Sequence, residues 1–285
     1  MPLSAEHIRS LKKLDVKILL AIERLMRTSE WVPLELLKAH IDLSEGELTY
    51  RLGRLIEMDM VRFTPLPYEG YALVFTGYDA LALTTLAARG TLKALGPQIG
   101  VGKESIVYEG LGLGPLVLKL HRVGQRSFRS VRVNRGYLPE RGHMPRIFAS
   151  IYSAAREYEA LKRLHPEVSV PLPIDRNRHV VVISLFDGAP LHRCALDEPE
   201  EVLDSILRNV RIAFRKGIIH GDLSEFNVMW DGERVCLIDW PQWVGTEHPD
   251  GMLLLRRDLE NILAFFHRKY RIGISVEEML AEVAE

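Results

Sequence analysis

The sequence predicts an α+β protein in which a small helical domain precedes a larger, two-lobed body. Residues 8–60 carry apolar side chains at helical spacing, and residues 61–75 show the pattern of a strand, a turn and a second strand. From about residue 92, glycine-containing turns and short apolar strands replace that pattern. Strands and helices are then mixed to the end of the chain, which is typical of an α+β unit.

The composition limits the classes of protein that the chain can belong to. Its 285 residues are 47% hydrophobic, enough for a sizeable core, and a net charge of −1 excludes a general polycation. The two cysteines, Cys194 and Cys236, are far apart and lack metal-ligand spacing, which is typical of a reducing compartment. Since there is no signal-peptide pattern and no apolar run of about 18 residues, we expect a soluble, cytoplasmic protein.

The first 75 residues have the element order of a winged helix. One amphipathic helix is expected over 8–26, and a second is expected to start at Pro33. Ser44 and Glu47 fit a capping box that opens the third helix, over 44–59. Three helices followed by a hairpin predict a winged-helix domain, and an alanine-rich helix at roughly 78–89 follows it.

Two features of the next segment suggest a phosphate-binding site. Gly100, Gly102 and Ser105 form a G-x-G-x-x-S turn with Lys103 inside it, and glycines let a backbone approach a phosphate closely. A plain hairpin turn is an equally good interpretation. Lys119 lies in the apolar strand "LVLKL", where a buried lysine requires a partner and simple exposure is the alternative. On the helix predicted over 151–164, Glu157 borders the apolar face and Glu159 does not, so Glu157 is the preferred partner.

The stretch "IIHGDLSEFNVMW" suggests a catalytic loop. Asp222 follows a helix and a short apolar strand, Asn227 comes five residues later, and Asp239 ends the next strand. Two carboxylates and a carboxamide that converge would make an oxygen-rich site suited to Mg²⁺. Each residue alone is more often a turn residue or a helix cap. Together, in this order and after a glycine-rich turn and a strand lysine, they predict phosphoryl transfer. We expect the ring of His220 to pack this loop in place.

The motifs resemble those of the RIO family of atypical serine/threonine protein kinases. "HGDLSEFNVMW" followed by "CLIDWPQ" carries the resemblance, and "GVGKES" is similar to the family's phosphate loop. The winged helix and "IDWPQ" resemble the second RIO subfamily. The resemblance implies a bilobal kinase-like fold, with a winged-helix domain and linker helix over 1–91 and a kinase domain over 92–285. Its N-lobe would span about 92–186 and its C-lobe about 187–285.

The resemblance also implies a role for each site residue. Asp222 would be the catalytic base or orienting group, Asn227 and Asp239 would hold the metal, and Asp239 would itself become transiently phosphorylated. The remaining positions would bind ATP. They are the phosphate loop (Gly100, Gly102, Lys103, Ser105), the pair of Lys119 with Glu157, and the hinge Ser184, Leu185 and Phe186, with Ile183 behind it. Family members often carry an acid where this chain has Ser184.

The partners and cofactors that the resemblance implies are those of ribosome assembly. ATP with Mg²⁺, or Mn²⁺ in its place, would support a kinase or ATPase acting in small-ribosomal-subunit maturation, with autophosphorylation as one reaction. The rRNA and proteins of the subunit precursor would be bound through the winged helix and a basic loop at 122–146. That segment holds seven arginines and one acid and is expected to be mobile. Ser127 and Ser130 lie among the arginines as candidate phosphorylation sites.

Two other classes remain as alternatives. Small-molecule phosphotransferases of the aminoglycoside or choline kinase type also carry "HGD", but only 46 residues follow Asp239 here. A nucleic-acid-binding regulator with a kinase-like body is the second. Residues 1–90 hold 11 Lys/Arg and 12 Asp/Glu, and Arg51 and Arg54 are outnumbered by acids on the third helix, so there is no strong case for duplex DNA.

Overall fold

The computed structural model describes residues 5–124 and 147–284. The chain divides into two compact units, Met1–Tyr152 with Asp175–Val180, and Ser153–Ile174 with Val181–Glu285. Most of the predicted basic loop, residues 125–146, lies outside the described residues. The boundary expected between residues 91 and 92 stays a prediction.

The first unit begins with the predicted winged helix. Its elements are α1 (Ala5–Ser10), α2 (Lys13–Leu25), β1 (Val32–Pro33), α3 (Leu34–His40), α4 (Glu45–Glu57), β2 (Val61–Thr64) and β3 (Gly70–Leu73). The strands form an antiparallel sheet in the order β1-β3-β2, with Val32 opposite Tyr71 and Val61 opposite Leu73. The predicted order of three helical segments and a hairpin is confirmed, and α5 (Phe75–Ala88) follows.

Local hydrogen bonds explain where these helices start. The helix expected over 8–26 is two helices, because the Asp15 carboxylate accepts the N–H of Lys12 at 2.8 Å and opens α2. The Ser44 hydroxyl accepts the N–H of Glu47 at 3.3 Å, as predicted for the start of α4. The Glu47 carboxylate binds the Arg51 side chain at 2.6 Å. Along α2, Ile18, Leu19 and Ile22 are fully buried, which explains its apolar face.

The two arginines of α4 face inward, toward a buried acid. Asp15 is 1% exposed and is paired with Arg51 at 2.8 Å and with Arg54 at 3.2 Å. Both guanidinium groups therefore satisfy a carboxylate that would otherwise be buried without a counter-charge. Whether α4 contacts nucleic acid stays a prediction.

Three antiparallel strands follow the winged helix in the same unit. They are β4 (Ala94–Val101), β5 (Ser105–Leu111) and β6 (Pro115–His121). Gly100 pairs with Val107, Val107 pairs with Lys119, and Ser105 pairs with His121. This register connects the glycine-rich turn to the strand that carries the lysine.

A buried ionic cluster joins the end of β6 to α5. One Arg122 nitrogen donates to both Asp79 carboxylate oxygens, at 2.7 and 2.6 Å, and His179 Nε2 lies 2.7 Å from Asp79 Oδ1. Burial alone would raise the pKa of Asp79, but the Arg122 and His179 side chains outweigh burial and lower that pKa overall. The sequence interpretation placed Arg122 in a mobile basic loop. That placement was wrong, because Arg122 is 5% exposed and its charge neutralises Asp79.

We predict that Arg122→Ala destabilises β6 by about 3–5 kcal/mol, because it leaves the Asp79 carboxylate buried without its cationic partner. Native-state hydrogen exchange of the β6 amides measures this opening free energy. The control is Arg89→Ala, which removes an ion pair of 2.9 Å between Arg89 and Asp175. The Arg89 side chain is 49% exposed. We expect at most about 1 kcal/mol there. Equal protection losses in the two variants would contradict the role of the cluster.

The second unit is mainly helical. Its elements are α6 (Ile147–Leu164), β7 (Pro173–Asn177), β8 (Val180–Ser184), β9 (Ala189–Pro190), α7 (Pro199–Arg215), β10 (Ile218–Ile219), β11 (Val228–Trp230), β12 (Val235–Leu237), β13 (Val244–Gly245), α8 (Gly251–Tyr270) and α9 (Val276–Ala284). Helix α6 and the β7–β8 hairpin each have residues in both units. The core includes Leu161, Ile206, Leu259 and Phe266. Burial raises the pKa of Cys236 to about 12, as expected for a small apolar-like residue.

Strands β9, β11 and β12 form a small sheet in the order β12-β11-β9, and β10 pairs with β13. Within the described ranges, no helix has the length and apolar character needed to cross a bilayer.

Candidate active site

The loop that carries Asp222 and Asn227 is closed by hydrogen bonds of Asn227. The Asn227 Nδ2 donates to the Asp222 carbonyl oxygen at 2.8 Å, and the Asn227 N–H donates to the Ser224 carbonyl oxygen at 2.9 Å. The Asp222 carbonyl oxygen can only accept a hydrogen bond, so the Asn227 side chain must point its Nδ2 toward it. This orientation leaves Asn227 Oδ1 for another partner. The Asn227 carbonyl oxygen accepts the N–H of Ile238 at 2.9 Å, which places Asn227 beside the segment that leads to Asp239.

Asp239 lies in an unusual backbone conformation two residues beyond β12. Its φ is 67°, in the left-handed region that residues with a side chain seldom adopt. The two residues that follow it hold it there. The indole of Trp240 is 1% exposed and donates to the Leu237 carbonyl oxygen at 3.0 Å, and the Pro241 carbonyl oxygen accepts from Arg156 at 3.0 Å. Such backbone strain is concentrated at functional sites in proteins generally.

His220 has the packing role that the sequence suggests. Its ring is 4.4 Å from the Trp240 ring, and its Nε2 lies 3.0 Å from the Ile238 carbonyl oxygen. Gly221 has a φ of 78°, and a Cβ added there would lie 2.8 Å from the Gln242 carbonyl oxygen. A glycine is therefore required between His220 and Asp222.

Asp258 of α8, which the sequence interpretation missed, binds the backbone of the catalytic loop. Its two carboxylate oxygens accept the N–H groups of Gly221 and Leu223, at 2.7 and 2.9 Å, so they bind on both sides of Asp222. Burial raises the pKa of Asp258 to about 6, although the two N–H groups act in the opposite direction. Its sequence position could have revealed it, because Asp258 shares the apolar face of α8 with Leu255 and Ile262.

Two further side chains of α8 bind the same loop. Arg257 donates to the Gly221 carbonyl oxygen, and Asn261 Nδ2 donates to the Leu223 carbonyl oxygen at 3.0 Å. Helix α8 therefore contacts both backbone polar groups of Gly221 and of Leu223. The position of Asp222 is fixed by the helix more than by the loop's own turn.

We predict that turnover falls as pH drops through about 6, because protonated Asp258 is a weaker acceptor for the two loop N–H groups. Folding stability has the opposite sign. A raised folded-state pKa contributes stability that is fully present below the unfolded-state value of about 4 and is lost as pH rises through about 6. Asp258→Asn should reduce turnover about tenfold or more and remove both pH dependences. Rate profiles and urea unfolding between pH 5 and pH 8 test this.

The control for that experiment is Glu260→Gln, which neutralises an exposed acid on the same helix. We expect its rate and stability profiles to match those of the unmodified chain. If Asp258→Asn retained the fall in turnover below pH 6, another group would be responsible.

The glycine-rich turn is a tight hairpin connection between β4 and β5. The Gly102 N–H donates to the Ser105 carbonyl oxygen at 2.8 Å, and a Cβ on Gly102 would lie 3.2 Å from the Ser105 hydroxyl. Gly100 has ordinary space around it, and Lys103 is exposed. The hairpin interpretation is therefore right, and it is compatible with a phosphate loop, because the kinase loop that covers the phosphates also connects two strands.

The predicted lysine and glutamate are both buried. Lys119 is 8% exposed, so the alternative that it is simply a surface residue is wrong. Glu157 is 2% exposed and Glu159 is exposed, which agrees with the preference for Glu157. Lys119 belongs to the first unit and Glu157, with the Asp222 loop, to the second. The pairing of Lys119 with Glu157 stays a prediction.

The predicted hinge is only partly suited to reading adenine. The Ser184 N–H donates to the Leu172 carbonyl oxygen at 3.0 Å, and its hydroxyl accepts the Leu172 N–H at 3.0 Å. Ser184 is thus bonded to the residue that precedes β7, and Ile183 packs against the core. Main-chain recognition would fall to Leu185, which is 40% exposed, and Phe186.

The donor set at Asn227 and Asp239 suits Mg²⁺ held together with phosphate. In the described part of the chain, no group of three or more His, Cys, Asp or Glu forms a site that could enclose a metal. One amide oxygen and one carboxylate are the usual protein contribution where phosphate oxygens and water complete the octahedron.

Sequence and structure comparisons agree with the class that the fold and this loop define, a protein-kinase-like enzyme. The sequence matches the RIO domain over residues 106–279 and the N-terminal domain of Rio2 over residues 8–89. The chain belongs to the RIO kinase family, in the group that carries the Rio2 N-terminal domain. The expected enzyme class, a RIO-type protein kinase, is confirmed, and the small-molecule phosphotransferase alternative is not supported.

Relatives and solved structures cover nearly the whole chain. It is 41% identical to the RIO-type serine/threonine-protein kinase Rio2 of Methanocaldococcus jannaschii, over 89% of this chain and 96% of that one. It is 37% identical to the serine/threonine-protein kinase rio2 of Schizosaccharomyces pombe, over 94% and 80%. The crystal structure of the Chaetomium thermophilum Rio2 kinase as an ADP/Mg²⁺-phosphoaspartate complex superposes with a TM-score of 0.84 and 30% identity, over 99% and 90%.

Proposed function

We propose that the chain is an ATP–Mg²⁺-dependent serine/threonine protein kinase and ATPase that acts in the cytoplasm in small-ribosomal-subunit maturation. The observation that carries the catalytic part is the Asn227 amide, which is bonded to the Asp222 carbonyl oxygen beside the segment that ends in Asp239. This arrangement supports a site in which a carboxylate and an amide oxygen meet phosphate-bound metal.

Each site residue has a separate task in this proposal. Asn227 and Asp239 hold Mg²⁺, or Mn²⁺, which when bound neutralises charge on the phosphates. Asp222 accepts a hydrogen bond from the attacking hydroxyl or water and orients it toward the γ-phosphorus. Lys119, paired with Glu157, contacts the α- and β-phosphates, and the backbone of the turn at 100–105 covers them.

A second reaction is proposed for Asp239. The C. thermophilum Rio2 kinase structure contains phosphoaspartate. In the corresponding step here, an Asp239 carboxylate oxygen would form a bond to the γ-phosphorus while the bond from that phosphorus to the β–γ bridging oxygen breaks and ADP leaves. Water would then hydrolyse the acyl phosphate, so the net reaction is ATP hydrolysis.

The proposed partner is the small-subunit precursor, with its rRNA and proteins. Arg51 and Arg54 support a docking role for the winged helix more than nucleic-acid reading, because their charges are used by Asp15. Contact with RNA would then fall to the arginines of residues 125–146. Incubating the protein with labelled ATP and Mg²⁺, with and without small ribosomal subunits, and separating free phosphate from labelled protein tests the proposal. Equal phosphate release in both conditions would argue against the ribosomal role.

We predict that Lys119→Ala lowers turnover by about 10²-fold or more while adenosine affinity changes little. The variant removes a cation that contacts the phosphates and leaves the contacts of the adenine base unchanged. ATPase rates and adenosine binding by calorimetry measure the two effects. Lys93→Ala, an exposed lysine at the start of the same sheet, is the control. Equal turnover in Lys119→Ala and the unmodified protein would contradict the proposed ATP site.

A further inference from the structure

A second pocket, separate from the predicted ATP site, lies in the first unit. It encloses about 410 Å³, within the range of roughly 300–1,000 Å³ that is usual for small-molecule sites. Its walls come from α2, α5, the first turns of α6 and the turn between β7 and β8. None of the residues assigned to ATP or to the metal lines it.

The pocket carries an excess of positive charge. Arg178 is matched by Glu23, with two hydrogen bonds of 2.6 Å between the guanidinium and the carboxylate. Arg27 and Arg176 also line it. Within residues 5–124 and 147–284, the guanidinium of Arg27 has no ion pair, and that of Arg176 gives one hydrogen bond, to the Arg178 carbonyl oxygen at 3.2 Å. Two guanidinium groups therefore remain available to an anion.

The rest of the lining is aromatic and aliphatic. Tyr78, Phe148 and Ile151 line the pocket, and all three belong to or pack against the core of the winged helix. Tyr78 is 4% exposed, so its ring has a fixed place in that core. An apolar surface with guanidinium groups beside it suits a ligand with a flat ring system and a negative group.

Contacts behind the lining hold three walls in position. Asp79 and His179, which follow Tyr78 and Arg178 in the chain, are the buried partners of the ionic cluster described above. The hydroxyl of buried Ser150, next to Ile151, accepts the N–H of Val123 at 3.0 Å. A pocket whose walls are fixed before binding loses little conformational entropy when a ligand enters.

Arg178 itself occupies a conformation that disfavours a long side chain. Its φ is 52°, where glycine or asparagine would be accommodated with less strain. The bidentate contact with Glu23 helps offset this strain and fixes the guanidinium against the pocket wall. Strained residues of this kind are frequent at ligand-binding positions.

We infer that this pocket binds a nucleotide, with the base against the Phe148 ring and the phosphate at Arg27 and Arg176. Aromatic side chains stack on bases, and the planar guanidinium matches phosphate geometry. The ligand could be a free nucleotide or one unit of a single-stranded RNA, since both offer the same chemistry. The inference goes beyond the proposed function, because the pocket needs neither the ATP site nor a ribosomal particle.

Photo-crosslinking tests the inference without involving the ATP site. The full chain is mixed with a short oligouridylate that contains thiouridine, in EDTA and without ATP, and cross-linked peptides are identified by mass spectrometry. We expect cross-links at Phe148. The double variant Arg27→Glu, Arg176→Glu should lose these cross-links. Its affinity for the oligomer should fall by about tenfold or more. Arg62→Glu with Lys93→Glu, two exposed cations outside the pocket, makes the same charge change and should keep them.

Further arms separate the two ligand sources and guard against misfolding. Uridine monophosphate that displaces the cross-link identifies a free nucleotide as sufficient, whereas displacement by oligomers alone identifies RNA. Asp239→Ala should retain the cross-links, which separates this site from the ATP site. Where thermal unfolding shows that the glutamate variant is unfolded, Arg27→Gln with Arg176→Gln replaces it. The absence of cross-links at Phe148, or equal losses in the control pair, would overturn the inference.

Discussion

Asp222→Ala should bind ATP–Mg²⁺ nearly as well as the unmodified chain and turn over about 10²–10⁴-fold more slowly. The reason is that Asp222 orients the attacking oxygen, while the loop around it is held by other groups. Gly221 and Leu223 are anchored by Asp258 through their N–H groups, and Asn227 bonds to the Asp222 backbone, so the side chain can be removed without releasing the loop. Nucleotide titration and single-turnover hydrolysis measure the two properties separately.

The matched control is Asp204→Ala, which removes an exposed aspartate that pairs with Arg208 one helical turn away. Neither affinity nor rate should change there, because exposed ion pairs of this kind contribute little. The assigned role of Asp222 fails if Asp222→Ala loses Mg²⁺-dependent nucleotide binding.

Asp239→Ala should lose both nucleotide binding and turnover, which makes it the most damaging single substitution proposed for this chain. It removes the only carboxylate among the two proposed metal ligands, so the Mg²⁺ requirement should rise steeply and ATP affinity should fall. Titration of Mg²⁺ at fixed ATP, followed by single-turnover hydrolysis, measures both effects.

Asp239→Asn adds a chemical test of the same residue. An amide cannot form the acyl phosphate, so any base-labile label on the protein after incubation with labelled ATP should disappear. A label that persists in Asp239→Asn would place phosphorylation elsewhere. If Asp239→Ala bound ATP–Mg²⁺ normally while Asp222→Ala did not, the two roles would have to be exchanged.

The sequence predicted the elements well where a periodic pattern coincided with a capping signal. Helix α4 and the β2–β3 hairpin lie close to their predicted positions, because Ser44 marks the start of the helix and the turn residues mark the hairpin. The helix over 8–26 was wrong as a single element. Apolar spacing continues across the break at Lys12, and only the Asp15 side chain shows that a new helix begins there.

Long-range ionic contacts were the part of the structure that local patterns could not supply. Arg122 looked like the first residue of an arginine-rich surface segment, but its partner Asp79 lies 43 residues earlier in the chain. Asp79 in turn contacts His179, which is 100 residues away from it. Asp258 serves the catalytic loop from a helix that begins 29 residues after Asp222. The motif predicts which groups act in the loop, but the groups that hold it come from elsewhere in the chain.

The buried tryptophan after Asp239 has a consequence for inhibition. In ordinary protein kinases the packing of the aromatic residue after the metal-binding aspartate differs between active and inactive states. Ligands that need this residue to leave its pocket must supply the free energy of exposing it. Here Trp240 is 1% exposed, its indole N–H is bonded to Leu237, and its ring lies against His220. Exposing a buried side chain of about 200 Å² would cost about 5 kcal/mol. We therefore expect compounds of that kind to bind this chain poorly. Selective ligands should be those that bind while Trp240 stays buried.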